Sequence, residues 1–362
     1  MLPRLHAVWG LGQLYRQGHA EAGPILLKCL ASDKVEIRAN AARTCGDVRV
    51  TASREPLLSL LNDHAPRVIS LAAVALGRVA PTGDAEVVDA LFSRAANNNG
   101  ESFDVTIRHA FLSALSRLAR PDQTLARVKS DSFEQRMLSL LVCRRQDHPH
   151  LALFLNDETE EIRKEAVSAI YDTGALDGPA GKALLSLNPE DFPFHQQVRL
   201  VGAYFRIGSE NAAKALLSTC ANYKLGEEVR IFAMEALLRW SIPMDTDPVL
   251  GHYRPTLQST FSRTDFVSAM GENIRQLVEK EKAPKLASLL GKFVMEAGIS
   301  MDPVVLRKQV MDSNLNAEVR ASNLRSLLSL NDKADHAMIE DLLDDPSAVS
   351  YTHLRAHETS LH

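Results

Sequence analysis

The sequence predicts an all-α solenoid, a stack of helix–turn–helix repeats, and three observations carry that prediction. An Ile/Val-Arg pair returns along the chain with apolar or small residues at fixed distances after it. Ala and Leu dominate the composition, and both favour helix. Aromatic residues make up only 6% of the 362 residues, thin for a sandwich or barrel whose strands are enriched in them.

The repeat decides the fold. Ile37-Arg38 is followed by Ala41-Ala42 and Cys45-Gly46, and Val68-Ile69 by Ala72-Ala73 and Leu76-Gly77. The same frame returns at Ile107-Arg108, Ile162-Arg163, Val198-Arg199, Val229-Arg230 and Val319-Arg320, with a degenerate copy at Gln135-Arg136. From each anchor the residues four, five and eight positions on are mostly apolar or small, as in Phe111, Leu112 and Leu115. That spacing is one face of an α-helix. Small pairs such as Ala41-Ala42 let a neighbouring helix approach closely.

A second apolar helix precedes each anchor helix, at Ile25–Leu30, Leu57–Leu61, Leu151–Leu155 and Ala215–Leu217. Short polar turns join the two, including Ser32-Asp33, Asn62–Pro66 and Asn156–Thr159, whose Asp and Ser suit N-caps. The unit repeats every 31–39 residues, with 31 separating both Ile37 from Val68 and Val198 from Val229. In Leu61–Gly77 and Leu155–Ile170 the Asp turn, Val/Ile-Arg or its variant and the small pairs resemble the HEAT family, over roughly residues 5–240. Six of the seven clean anchors carry Arg: Arg38, Arg108, Arg163, Arg199, Arg230 and Arg320. An arginine ladder also suits phosphate. The HEAT resemblance implies instead that these arginines meet turn acids between neighbouring repeats, for which Asp63, Asp157, Glu158, Glu160 and Glu161 are available.

Hydrophobic residues at 45% and charged residues at 24% describe a chain able to bury a large core. A formal charge of −4 gives no general attraction to nucleic acid or anionic lipid. No stretch has the roughly 18 apolar residues of a membrane span, and Met1–His6 lacks the apolar core of a signal peptide. Cys29, Cys45, Cys143 and Cys220 stand singly in apolar helical stripes and read as small buried hydrophobes.

Three segments break the period. Asn97–Ser102 reads as a surface loop, and in Asn188–Phe194 the two Phe are expected to pack back on the stack. Arg239–Leu257 is the most informative, with Pro243, Pro248 and Pro255 beside Trp240, His252 and Tyr253. Its Asp-Pro-Val…Gly…Tyr-Arg-Pro (Asp247–Pro255), with the opening Arg4–Leu14, resembles PVC-type haem-binding or membrane-bound dehydrogenase-like proteins. That resemblance implies an exported or periplasmic protein with a β-propeller, then HEAT repeats, then a cytochrome c domain with a Cys-x-x-Cys-His haem motif. The chain departs from it in having no Cys-x-x-Cys-His and no propeller repeats. It would then hold only the middle of such a protein, and haem is assigned to no residue here.

The expected organisation is regular repeats over 1–240, a proline-rich insertion at 241–258, divergent helical repeats over 259–348 and a tail at 349–362. Helices are predicted at Asn273–Lys282, Lys285–Glu296, Pro303–Met311, Ala317–Leu330 and Ala334–Leu343. Ile274-Arg275 imitates an anchor, but Glu279 and Lys282 fall in its core slots. Val349–Thr359 resembles the translation of a transposon-end sequencing adapter, so His353 and His357 are not read as a zinc site despite their spacing.

The chain carries no Gly-rich phosphate loop, Gly-x-Ser-x-Gly elbow or His-Glu-x-x-His. His148-Pro-His150 beside Asp147 reads as a surface loop, and Glu160-Glu161 and Asp344-Asp345 as solvated turns or helix ends. Trp9 and Trp240 read as core or groove anchors, an exposed Trp being the recognition candidate. No catalytic, cofactor-binding or metal residue is expected. The function predicted is a non-catalytic scaffold for protein partners or neighbouring domains, without nucleic acid or a membrane span, as the middle of a larger redox-associated protein. The alternative is a HEAT-like enzyme of the DNA-glycosylase or bilin-lyase type.

Overall fold

A computed structural model describes residues 2–96, 104–176, 178–256, 259–313 and 315–329. The all-α solenoid class is the class observed. Among the described residues the only extended pairing is a single antiparallel bridge, Thr246 to Tyr253. The chain divides into two compact units, Met1–Ala175 and Leu176–His362.

The first unit holds α1 (Leu2–Arg16), α2 (Ala22–Leu30), α3 (Val35–Asp47), α4 (Arg54–Leu60), α5 (Pro66–Val79) and α6 (Ala85–Ala96). It continues with α7 (Val105–Leu118), α8 (Pro121–Leu125), α9 (Phe133–Arg145) and α10 (Glu160–Thr173). The second holds α11 (Pro179–Leu184), α12 (Phe194–Ile207), α13 (Glu210–Ala221) and α14 (Glu227–Leu238). After the insertion come α15 (Arg263–Lys280), α16 (Pro284–Ala297), α17 (Pro303–Met311) and α18 (Ala317–Ser329).

Each unit is a double row. One row holds the anchor-bearing helices, with α1 and α16, which carry no anchor, in line with them: α1 packs on α3, α3 on α5, α5 on α7 and α7 on α9. In the second unit α12, α14, α16 and α18 do the same. The helices that precede them form a leading row: α2 packs on α3, α4 on α5, α13 on α14, α15 on α16. The anchors and the residues spaced from them supply the interior: Ile37, Val68, Ile107, Ile162 and Val229 are all buried.

Small residues set how closely the anchor row packs. A Cβ added at Gly46 of α3 would sit 2.7 Å from Ala75 Cα of α5, and one at Gly77 would sit 2.8 Å from Ala114 Cα of α7. Neighbouring backbones therefore touch where the repeat writes Cys-Gly or Leu-Gly. Any side chain there would have to push two helices apart.

The anchor arginines tie successive repeats. Arg38 donates to Asp63 at 2.7 and 3.0 Å, and Arg108 to Glu134 at 2.9 and 2.6 Å. Arg136, the degenerate copy, reaches Asp157 at 2.8 and 3.3 Å and Glu158 at 2.9 Å. Such bidentate, charge-assisted bonds fix geometry as well as energy. Arg163 instead donates to the carbonyls of Asp157 and Glu158, Arg320 to that of Val310 and Arg199 to that of His195. Glu160 pairs with Lys164 of its own helix rather than with an anchor.

Several local expectations are corrected. The segment Leu151–Leu155 makes a 3₁₀ turn over Pro149–Phe154, because Pro149 and the short span leave no room for an α-helix. α15 begins ten residues before the predicted start, at Arg263, where the Ser262 hydroxyl caps the Asp265 N–H. It is a leading helix, so Ile274-Arg275 is no anchor, and its buried stripe runs Phe266, Met270, Ile274, Leu277 and Val278. The predicted helices over Pro303–Met311 and Lys285–Glu296 match α17 and α16 closely. Asn97–Ser102, Ala334–Leu343 and the tail at 349–362 lie outside the described residues.

Candidate interaction surface

The insertion folds into a hairpin held by one carboxylate. Asp247 is fully buried. Its Oδ1 accepts the N–H groups of Val249 and Leu250, both at 2.9 Å, and its Oδ2 takes Arg254 at 3.1 Å with Arg206 of α12 at 3.6 Å. Arg206 also donates to the carbonyls of Arg254 and Pro255. The chain reverses through Gly251, whose φ of +71° suits a residue without Cβ, and Gly251 N donates to Asp247 O at 2.9 Å. Four of the residues that carry the insertion's resemblance, Asp247, Gly251, Arg254 and Pro255, thus build its turn and its tether.

Below the hairpin the core is aromatic. Trp240 is buried between Phe205 and Phe266, with ring centroids 6.4 Å away on each side, and Phe266 meets Phe293 at 5.6 Å. The Trp240 indole N–H donates to Phe261 O at 2.8 Å. Arg230 pairs with Glu281, only 3% exposed, which also accepts the N–H groups of Lys282 and Ala283 in the turn before α16. The repeat tie therefore spans the insertion.

Above it, a cleft of about 390 Å³ opens on the anchor-row face. Phe194 and Val198 of α12, Ile231 and Phe232 of α14, and Pro248 and Val249 of the hairpin give it an apolar lining. Glu228, Glu235 and Lys285 supply its charge. Phe194 is 46% exposed, Ile242 53% and Tyr253 76%. Phe192 packs inward as expected, but Phe194 does not, because it opens α12 four residues before the anchor and faces the cleft. Phe232 was also missed: it sits three positions after Val229, off the core stripe.

Trp9 is 53% exposed on α1, edge-on to His6. His148 is buried, its Nδ1 3.2 Å from that of His150. Burial, with His150 beside it, holds its pKa below the usual imidazole value. Cys45, Cys143 and Cys220 are buried and Cys29 half-buried. Burial pushes the thiols of Cys45 and Cys143 up to about 12, which removes their nucleophilic form. Among the described residues no group of three or more His, Cys, Asp or Glu is placed to hold a metal, and no helix is long and apolar enough to cross a membrane. Asp344-Asp345, His353 and His357 lie outside those residues.

A family profile described as HEAT repeats matches residues 3–77 and, overlapping, 23–116. Residues 3–116 are HEAT repeats. The anchor frame and paired rows of that stretch recur in α9 to α18. No curated protein matches the chain. Among solved structures it is similar to an engineered protein, at 17% identity over 93% of this chain and 98% of that one, TM-score 0.36. It is also similar to yeast importin-beta (Kap95p), at 12% identity and TM-score 0.40, covering 96% of this chain and 54% of that one. The complex of CpcE and CpcF of phycocyanin lyase from Nostoc sp. PCC7120 follows at 19% identity, 64% and 87% coverage and TM-score 0.31. The chain spans about half the length of the importin.

Proposed function

We propose that the chain is a non-catalytic scaffold that binds protein through the anchor-row face of its second unit. The observation that carries this is the cleft between α12, α14 and the hairpin, where Phe194, Phe232 and Val249 stand apolar and accessible beside Glu228 and Glu235. Partly exposed aromatic residues around an apolar cleft are the usual energetic centre of a protein interface, and stacked repeats present such a face on a rigid base. The partner surface is apolar with basic residues at its edge. Selection of a random peptide display library on the folded chain tests this. Recovered binders are expected to include a class that loses roughly tenfold or more in affinity on Phe232→Glu and Val249→Glu; a selection in which every binder is indifferent to both changes overturns the reading.

The finer proposal is that this arm belongs to a PVC-type haem-binding or dehydrogenase-like protein, supported by the Asp247–Pro255 segment and the Arg4–Leu14 opening. The cysteines present do not fit covalent haem attachment, since each stands alone in a helical stripe. The haem would belong to a domain outside this sequence. The intact gene is expected to encode Cys-x-x-Cys-His downstream, and an intact frame lacking it contradicts the proposal.

A further inference from the structure

A second, larger groove lies on the leading row of the same unit, and its chemistry is opposite. It encloses about 530 Å³ between α13 and α15. Leu217, Met270 and Leu277, all buried, form its floor. Tyr223 forms one end, 56% exposed, its ring held from beneath by the Arg230 guanidinium 4.3 Å from the centroid. That arginine is itself fixed by Cys220 O and Glu281, so the tyrosine wall rests on the buried tie between repeats.

The rim carries Lys214 and Lys280 with the side-chain amides of Asn273 and Gln276, and none of the residues lining the groove is acidic. Lys214 reaches Glu210 at 2.7 Å on the exposed surface of α13, a contact weak enough for an incoming carboxylate to replace. In a chain with a formal charge of −4, a groove whose lining carries two ammonium groups, one shared with the exposed Glu210, and no carboxylate of its own favours an anionic occupant. The floor asks for apolar side chains and the Asn273 amide for a polar backbone, the Gln276 amide N–H donating to Glu272 of its own helix at 3.2 Å.

We propose that this groove is a docking site for an acidic peptide segment of a partner protein, one or two apolar residues seated over Leu217, Met270 and Leu277 with flanking carboxylates on Lys214 and Lys280. It is independent of the anchor-row cleft: the two lie on different rows and share no lining residue.

The test is a random peptide display library selected on the full chain and counter-selected on Lys214→Glu/Lys280→Glu. Both lysines are exposed, so the variant is expected to keep the helical circular dichroism and melting midpoint of the parent. The clones retained are expected to be enriched in Asp and Glu around Leu, Met or aromatic residues. They should weaken roughly tenfold or more on the double variant and weaken with added salt, while binding Phe232→Glu unchanged. Retained clones with no acidic enrichment overturn the proposal, as does a selection in which no clone discriminates the variant. Because Phe232→Glu probes the other cleft, failure here leaves the anchor-row reading standing, and the converse holds.

Discussion

At the residue scale, the solenoid is held by single carboxylates that serve two repeats at once. Asp63 shows the balance: burial alone would raise its pKa, and the bonds from Arg38 and the Ala65 N–H outweigh that and hold it low. Asp84 is the cleaner case. Arg54 donates to it at 2.8 and 2.7 Å, and chiefly through that pair its pKa is held below the ordinary value. A carboxylate depressed on folding stabilises fully above its unfolded pKa, about 3.9. The contribution is lost as pH falls through the lower folded value. Thermal melts of wild type and Asp84→Asn are therefore expected to differ most near neutral pH and to converge below about pH 3.9. A gap that stays constant down to strongly acid pH would show that the charge is not what matters.

At the element scale, the hairpin at 242–256 depends on Asp247 more than on its prolines. Asp247→Ala removes the carboxylate that Arg206 and Arg254 both reach and the acceptor for the Val249 and Leu250 N–H groups. Breaking a buried ion pair from one side costs about 3–5 kcal/mol. Denaturant unfolding should show a loss near that size, with faster amide exchange in the hairpin; a change under about 0.5 kcal/mol would mean the tether is redundant. The sequence made the interruption legible through its prolines but not its structure. Asp247 works through contacts with α12, some 40 residues away, which no local pattern encodes. The start of α15 was obscured similarly: only a Ser262 cap marks it, and Phe266, Met270 and Ile274 belong to a stripe whose partners lie elsewhere.

At the scale of the whole molecule, the repeat was readable because period and packing coincide. The residues that recur are the ones that touch, as at Gly46 on Ala75 and Gly77 on Ala114. The arginine ladder was readable for the same reason, and Arg230 to Glu281 shows that the frame resumes after the insertion although the spacing is lost. The candidate surfaces were hardly legible. A cleft is made by what several helices leave uncovered, so Phe194 looked like core, and Lys214 and Lys280, 66 residues apart, look like unrelated surface charges.

The central claim is that protein partners engage the anchor-row face of the second unit. Its most direct test is the hydrogen-exchange footprint of the chain bound to peptides selected on it, setting aside those that lose affinity on Lys214→Glu/Lys280→Glu. Protection concentrated in α12, α14 and the hairpin at 242–256 is the predicted result. Footprints that fall elsewhere, or no bound clone at all, would contradict it.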